Sequence, residues 1–104
     1  MKDYKLIYSD AQMMAKLYPD TFEAPSIKEL NNLKVCDYVK VCIDIPDRKE
    51  DEPESERFWC DIKKIDGDKI IGSVGNDLIY LKLKYGKEIE FLKRNVYSII
   101  KQTI

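Results

Sequence analysis

The chain reads as an α+β domain: a small antiparallel β meander or barrel of five to six strands, preceded by one or two short helices. Three observations predict this. The stretch from Glu56 to Gly72 spells a strand, a tight Asp66-Gly67-Asp68 turn and a returning strand, and it carries the only tryptophan, Trp59. The apolar period changes from helical to two after Val35. Further turn signals, Gly75-Asn76-Asp77 and Tyr85-Gly86-Lys87, then recur at short intervals, as in a meander, sandwich or small barrel.

Taken in order, residues 10–18 predict a short helix, capped by Ser9 or Asp10 and stopped by Pro19, with Met13, Met14, Leu17 and Tyr18 as a core-facing stripe. Ser26-Ile27-Lys28-Glu29 is a capping box opening a second helix over 27–32, with Ile27, Leu30 and Leu33 as its apolar edge. In Tyr38-Val39-Lys40-Val41-Cys42-Ile43 the branched residues Val39, Val41 and Ile43 share one face, Tyr38, Lys40 and Cys42 the other, and Ile45-Pro46 ends the strand. Residues 47–56 hold six acids against two bases and predict a solvated loop. Phe58, Cys60 and Ile62 then alternate with Arg57, Trp59 and Asp61. Residues 69–74, 78–83 and 88–91 predict three more strands, and 95–100 a last strand or short helical turn. Residues 1–34 thus form a helical segment packed on a β core of 35–104, in one domain.

Composition narrows the function classes. With 104 residues, 44% hydrophobic and 36% charged, there is room for one core, and no apolar run approaches the roughly 20 residues of a membrane helix. The first ten residues lack the apolar centre of a secretory signal, so the expected compartment is the cytoplasm. No histidine is present, which rules out Ser/His and Cys/His nucleophilic machinery and imidazole ligands. Cys36, Cys42 and Cys60 lack metal-site spacing and read as buried, reduced thiols, with Cys36 and Cys42 able to share a face. No cofactor, metal site or catalytic group is expected. Charge is uneven: residues 1–56 carry 8 basic and 13 acidic side chains, residues 57–104 carry 10 and 6.

The pieces Leu33-Lys34-Val35, Asp37-Tyr38-Val39-Lys40-Val41, Glu56-Arg57-Phe58-Trp59, Ile65-Asp66-Gly67-Asp68, Gly72, Asn76-Asp77, Leu83-Lys84-Tyr85-Gly86 and Ile89-Glu90-Phe91, in this order and spacing over about residues 22–100, resemble the bacterial domain-of-unknown-function 2314 family. The resemblance implies an SH3-like β fold with N-terminal helices, and no established activity. In one place the chain departs from the family pattern: Cys36 stands where glycine is expected. If the position demands φ > 0, cysteine carries backbone strain there; if the turn has shifted, the first strand starts a residue later.

Four candidate sites follow. Tyr38, Lys40, Arg57 and Trp59 would form an aromatic and cationic platform if Trp59 faces outward; otherwise Trp59 packs beneath the N-terminal helices. Glu50, Asp51, Glu52 and Glu54 of the acidic loop could attract a basic partner. Asp61, Asp66, Asp68 and Asp77 could pair as carboxylates, but two of them flank a glycine turn and one precedes a strand, where turn chemistry places aspartate, and Asp66-Gly67-Asp68 lacks the further ligands of a calcium loop. Lys82, Lys84, Lys87, Lys93 and Arg94, interleaved with Tyr80, Tyr85, Phe91 and Tyr97, could bind single-stranded nucleic acid, or form a solvated face whose aromatics lie in the core. The expected function is a non-catalytic protein-interaction module, in the class of bacterial or phage immunity and inhibitor proteins. The alternative is a single-stranded nucleic-acid-binding barrel; no membrane partner is expected.

Overall fold

Two helices and five strands account for the regular structure of the computed structural model, which describes residues 6–45 and 48–101. They are α1 (Ala11–Leu17), α2 (Ile27–Asn31), β1 (Tyr38–Asp44), β2 (Ser55–Asp66), β3 (Lys69–Val74), β4 (Glu88–Leu92) and β5 (Ser98–Ile100), with a 3-10 turn at Lys93–Asn95 before β5. All strands are antiparallel in one sheet of order β4-β3-β2-β1-β5. The last strand returns beside the first, and β4 and β5 are edges that do not pair with each other.

The sheet is nevertheless strongly curled. Tyr8 bridges Ile43 on the β5 side of β1, and Ser9 N–H donates to the Cys42 carbonyl at 2.9 Å. In a flat sheet four strand spacings, roughly 19 Å, would separate this lane from β4. The rings of Tyr8 and Phe91 of β4 instead lie 6.1 Å apart. Inside the curl Val39, Val41 and Ile43 meet Phe58, Cys60, Ile62, Ile70, Ile89 and Phe91, with Leu30 of α2 and Leu33 just after it. Period-two burial therefore governs β1, the first half of β2, and β4 as expected.

Two local devices shape the sheet. The β2–β3 register shifts between Ile62 and Lys64, so Lys63 is an extra residue that restores the inward parity of Ile65 opposite Ile70. Asp66 pairs with Lys69 around a two-residue loop in which Gly67 takes φ +60°, the first-position glycine of a tight hairpin.

Several expectations need correction. Residues 78–83 form no strand. The N–H groups of Ile79, Tyr80 and Leu81 all donate to the Glu56 carboxylate, at 2.6, 2.9 and 2.9 Å. Successive N–H groups of a strand point to opposite sides, so three converging on one anion require a folded loop. Met13, Leu17 and Tyr18 are exposed, because α1 is anchored through Ala11 and half-buried Met14 instead. Asp10, not Ser9, caps α1, accepting from Met13 N–H. In α2 the capping box forms as expected, but Ile27 is exposed. The capping hydrogen bonds from Ser26 hold the Glu29 carboxyl below its ordinary pKa.

The turn before β1 answers the question raised at Cys36. Asp37 N–H donates to the Lys34 carbonyl at 3.1 Å, and Cys36 takes φ +81°, the left-handed third position of a type II turn. It is the one non-glycine residue with positive φ among those described, and its side chain is exposed. The expectation of three buried thiols therefore fails at Cys36; Cys42 and Cys60 are buried. Asp37 closes the same turn. Its buried carboxylate accepts from Lys34 N–H at 2.9 Å and from Lys101 Nζ at 2.6 Å, tying the end of β5 to the start of β1.

Candidate interaction surface

Strand alternation turns Tyr38, Lys40 and Cys42 of β1 outward, opposite Asp61, Trp59 and Arg57 of β2. The two ends of this face differ. At the Cys42 end, residues of the 9–24 segment form a lid: Ala11, Met14, Phe22 and Ala24 pack with Cys42 and Tyr97 in a second, smaller apolar cluster. Tyr97 and Ser9 hydroxyls are hydrogen-bonded, and the Asn95 amide donates to the Ser9 carbonyl at 3.1 Å, fixing that lid to the turn before β5. The smaller apolar cluster does not extend to the Tyr38 end, where Tyr38 and its cross-strand neighbour Ile100 of β5 are 38% and 52% exposed.

Trp59 lies between these ends. It belongs to neither apolar cluster and is half-buried, with Lys40 Nζ over its ring at 5.0 Å. It does not pack beneath the helices; α1 and the segment after it stop short, over Cys42. Its backbone extends the ladder past the end of β3: Trp59 N–H donates to Asn76 Oδ1 at 2.7 Å and its carbonyl accepts from Gly75 N–H at 2.8 Å. A side chain at Gly75 would meet that carbonyl oxygen at 3.2 Å, which explains the glycine. Arg57 sits at the margin of the lid, its guanidinium 5.6 Å from the Phe22 ring centroid and 5.5 Å from that of Tyr97. The structure thus brings Tyr38, Lys40, Trp59 and Arg57 onto one face of two paired strands. Ile100 joins them, a residue that sequence reasoning missed because only the β1–β5 register places it there.

The acidic loop is separate. Asp47 lies outside the described residues. Glu50, Asp51 and Glu54 are exposed, while Glu52 folds back on the loop, accepting from Lys49 N–H at 3.1 Å while its carbonyl accepts from Arg48. Glu56, expected as a sixth loop acid, is instead the β2 residue that holds residues 79–81.

The five cations of the nucleic-acid reading do not form one surface. Lys82, Lys84 and Lys87 belong to the 75–87 loop before β4, whereas Lys93 and Arg94 follow its other end. Arg94 pairs with Asp10 at 2.7 Å and Lys93 reaches Asn31, both beside a cleft of about 480 Å³ between α2 and the 3-10 turn. Phe91 and Tyr97 are buried, and Tyr80 and Tyr85 are exposed beside the three loop lysines.

Asp66, Asp68 and Asp77 stay in turns and strand ends, Asp61 lies in the middle of β2 opposite Tyr38 and Ser73, and no group of three or more His, Cys, Asp or Glu among the described residues could hold a metal ion. Burial, and then the charge of Asp61, push the Cys60 thiol up to about 12. Burial likewise raises Tyr8, whose hydroxyl is the one buried side-chain polar atom without a hydrogen-bond partner among the described residues. No described helix is long and apolar enough to cross a membrane. Comparison with protein-family models, curated proteins and solved structures returns no match to this chain.

Proposed function

We propose that the chain is a non-catalytic protein-interaction module with an SH3-like barrel fold, binding a partner protein in the cytoplasm through the outer face of β1 and β2. Within that class the reading is an immunity or inhibitor protein of a bacterium or its phage. The observation that carries it is the exposed row Ile100–Tyr38 beside the Lys40–Trp59 pair: apolar, aromatic and cationic groups on rigid paired strands. Aromatic side chains offer large contact area at low entropic cost, and strands hold them in place before binding. The strand order, the 3-10 turn before β5 and the curl of the sheet support the SH3-like fold. Positive φ at Cys36, where the domain-of-unknown-function 2314 pattern has glycine, supports the family resemblance.

The test is capture of a partner from source-cell lysate by the immobilised chain, against a Tyr38→Ser/Ile100→Ser variant. The variant should lose the captured protein and keep its melting temperature; retained capture would discard this face. The exposed Tyr80 and Tyr85 beside Lys82, Lys84 and Lys87 favour a second reading, single-stranded nucleic-acid binding by the 75–87 loop. An oligo-dT titration at low salt separates the two: saturable, salt-sensitive binding lost on replacing the three lysines would favour the second.

A further inference from the structure

Where the 9–24 lid meets the sheet there is a cleft of about 290 Å³. Lys40 and Arg57 line it from the sheet, Phe22 and Tyr97 form aromatic walls, and Asp20 and Glu23 stand on the lid side. Neither cation belongs to an ion pair among the described residues. Their contacts are with rings: Lys40 over Trp59, Arg57 over Phe22 and Tyr97. A ring attracts a cation without neutralising it, and Arg57 makes no hydrogen bond or ion pair among the described residues, so its N–H donors stay free. Two rings also restrict the long side chain beforehand, which lowers the entropy lost on binding.

A planar fork of free N–H donors matches a carboxylate, which accepts two parallel hydrogen bonds. The acids of the cleft narrow the choice further. Lys40 and Arg57 are balanced in formal charge by Asp20 and Glu23, so the cleft has no excess of positive charge to hold a phosphate dianion or a nucleic-acid backbone. A single carboxylate needs only the local donors and pays the least repulsion from the two acids. We infer that this cleft recognises one Asp or Glu side chain of the partner protein, held by the N–H edge of Arg57, with Lys40 as the second positive charge. The inference rests on the protein-interaction reading and names the chemistry of the partner.

An acetylated, amidated Ala-Glu-Ala tripeptide, titrated into the full chain and followed by NMR at the Arg57 Nε–H and Trp59 indole signals, tests it. Saturable shifts are expected. The Ala-Gln-Ala peptide should bind about tenfold more weakly, as should inorganic phosphate, and Arg57→Gln should remove the Glu response. Arg57→Lys keeps the charge and loses the fork, so it should also weaken binding, and it decides the matter if Arg57→Gln does not fold. Equal response to the Gln peptide, tighter binding of phosphate, or Glu binding undiminished in Arg57→Lys would overturn the proposal. If the peptide fails while Tyr38 and Ile100 still govern partner capture, only the carboxylate cleft is discarded; if both fail, the interaction module falls with it.

Discussion

The two faces of β2 follow different rules. Phe58, Cys60 and Ile62 point into the curl and belong to a cluster to which every strand of the sheet contributes, β5 through Ile99. Arg57, Trp59 and Asp61, one residue out of step, are not sealed: Arg57 is exposed at the margin of the lid, and Trp59 and Asp61 are half-buried. Beside them Cys42, Lys40 and Tyr38 of β1 pass from buried to exposed as the lid runs out. The difference teaches that the inner face is built by strand alternation alone, whereas the outer face is decided by how far residues 9–24 reach across it. Stability resides on the first face, and the proposed recognition on the second.

That contrast can be broken by substitution. Phe58→Ala should cost about 3–5 kcal/mol in urea unfolding, as for a large side chain removed from a sealed core. Trp59→Ala should cost about 1–2 kcal/mol, because its ring is only half-buried and its cation contact is worth about 0.5–1 kcal/mol. Equal losses would make the outer face a second core and remove it as a binding surface. Next comes Glu56→Ala, expected to cost about 2 kcal/mol by stranding the N–H groups of Ile79, Tyr80 and Leu81. Hydrogen exchange at those three amides should quicken while the β2–β3 amides stay protected; unchanged exchange would deny the carboxylate its role.

The thiols sharpen the comparison on a smaller scale. Cys36→Gly should raise stability by about 1 kcal/mol, since glycine takes φ +81° without a Cβ penalty, with a gain of several degrees in Tm. A thiol reagent should label Cys36 in the native chain and spare Cys42 and Cys60 until unfolding. The pH dependence has a definite sign. Burial raises the folded pKa of Cys60 from 9.0 to about 12, so its contribution is complete below the unfolded value and declines as pH rises through that window. Between pH 8 and 10 the loss should be about 1 kcal/mol and should shrink in Cys60→Ala. A slope unchanged by that substitution would place the titrating group elsewhere.

Much of the fold was legible because alternation is a local signal. Val39, Val41, Ile43, Ile89 and Phe91 announce their side of the sheet by spacing, and the Ser26–Glu29 capping box and the Gly67 and Gly86 turns announce their geometry by chemistry. Residues 78–83 misled for a physical reason. Their apolar content suits a strand, but a carboxylate more than twenty residues earlier offers their N–H groups a better acceptor arrangement than a neighbouring strand does. Met13, Leu17 and Tyr18 misled similarly, since helical spacing identifies a stripe but not whether it is covered. At the candidate site, outward placement of Lys40 beside Trp59 could be read from parity. The approach of Arg57 to both Phe22 and Tyr97, whose rings lie 6.2 Å apart, could not, because three distant segments meet there.

The bridge between Tyr8 and Ile43 has a consequence for association. Residues 7–9 occupy the stretch of β1 that β5 is too short to reach, donating and accepting at Cys42 and Asp44. If that N-terminal ribbon peeled away, bare peptide groups beside buried Ile43 would invite a strand from another molecule, the usual route to exchanged dimers and fibrils. Residues 7–9 therefore serve as a guard strip, and shortening the chain past Ser9 should show first as oligomers on a sizing column.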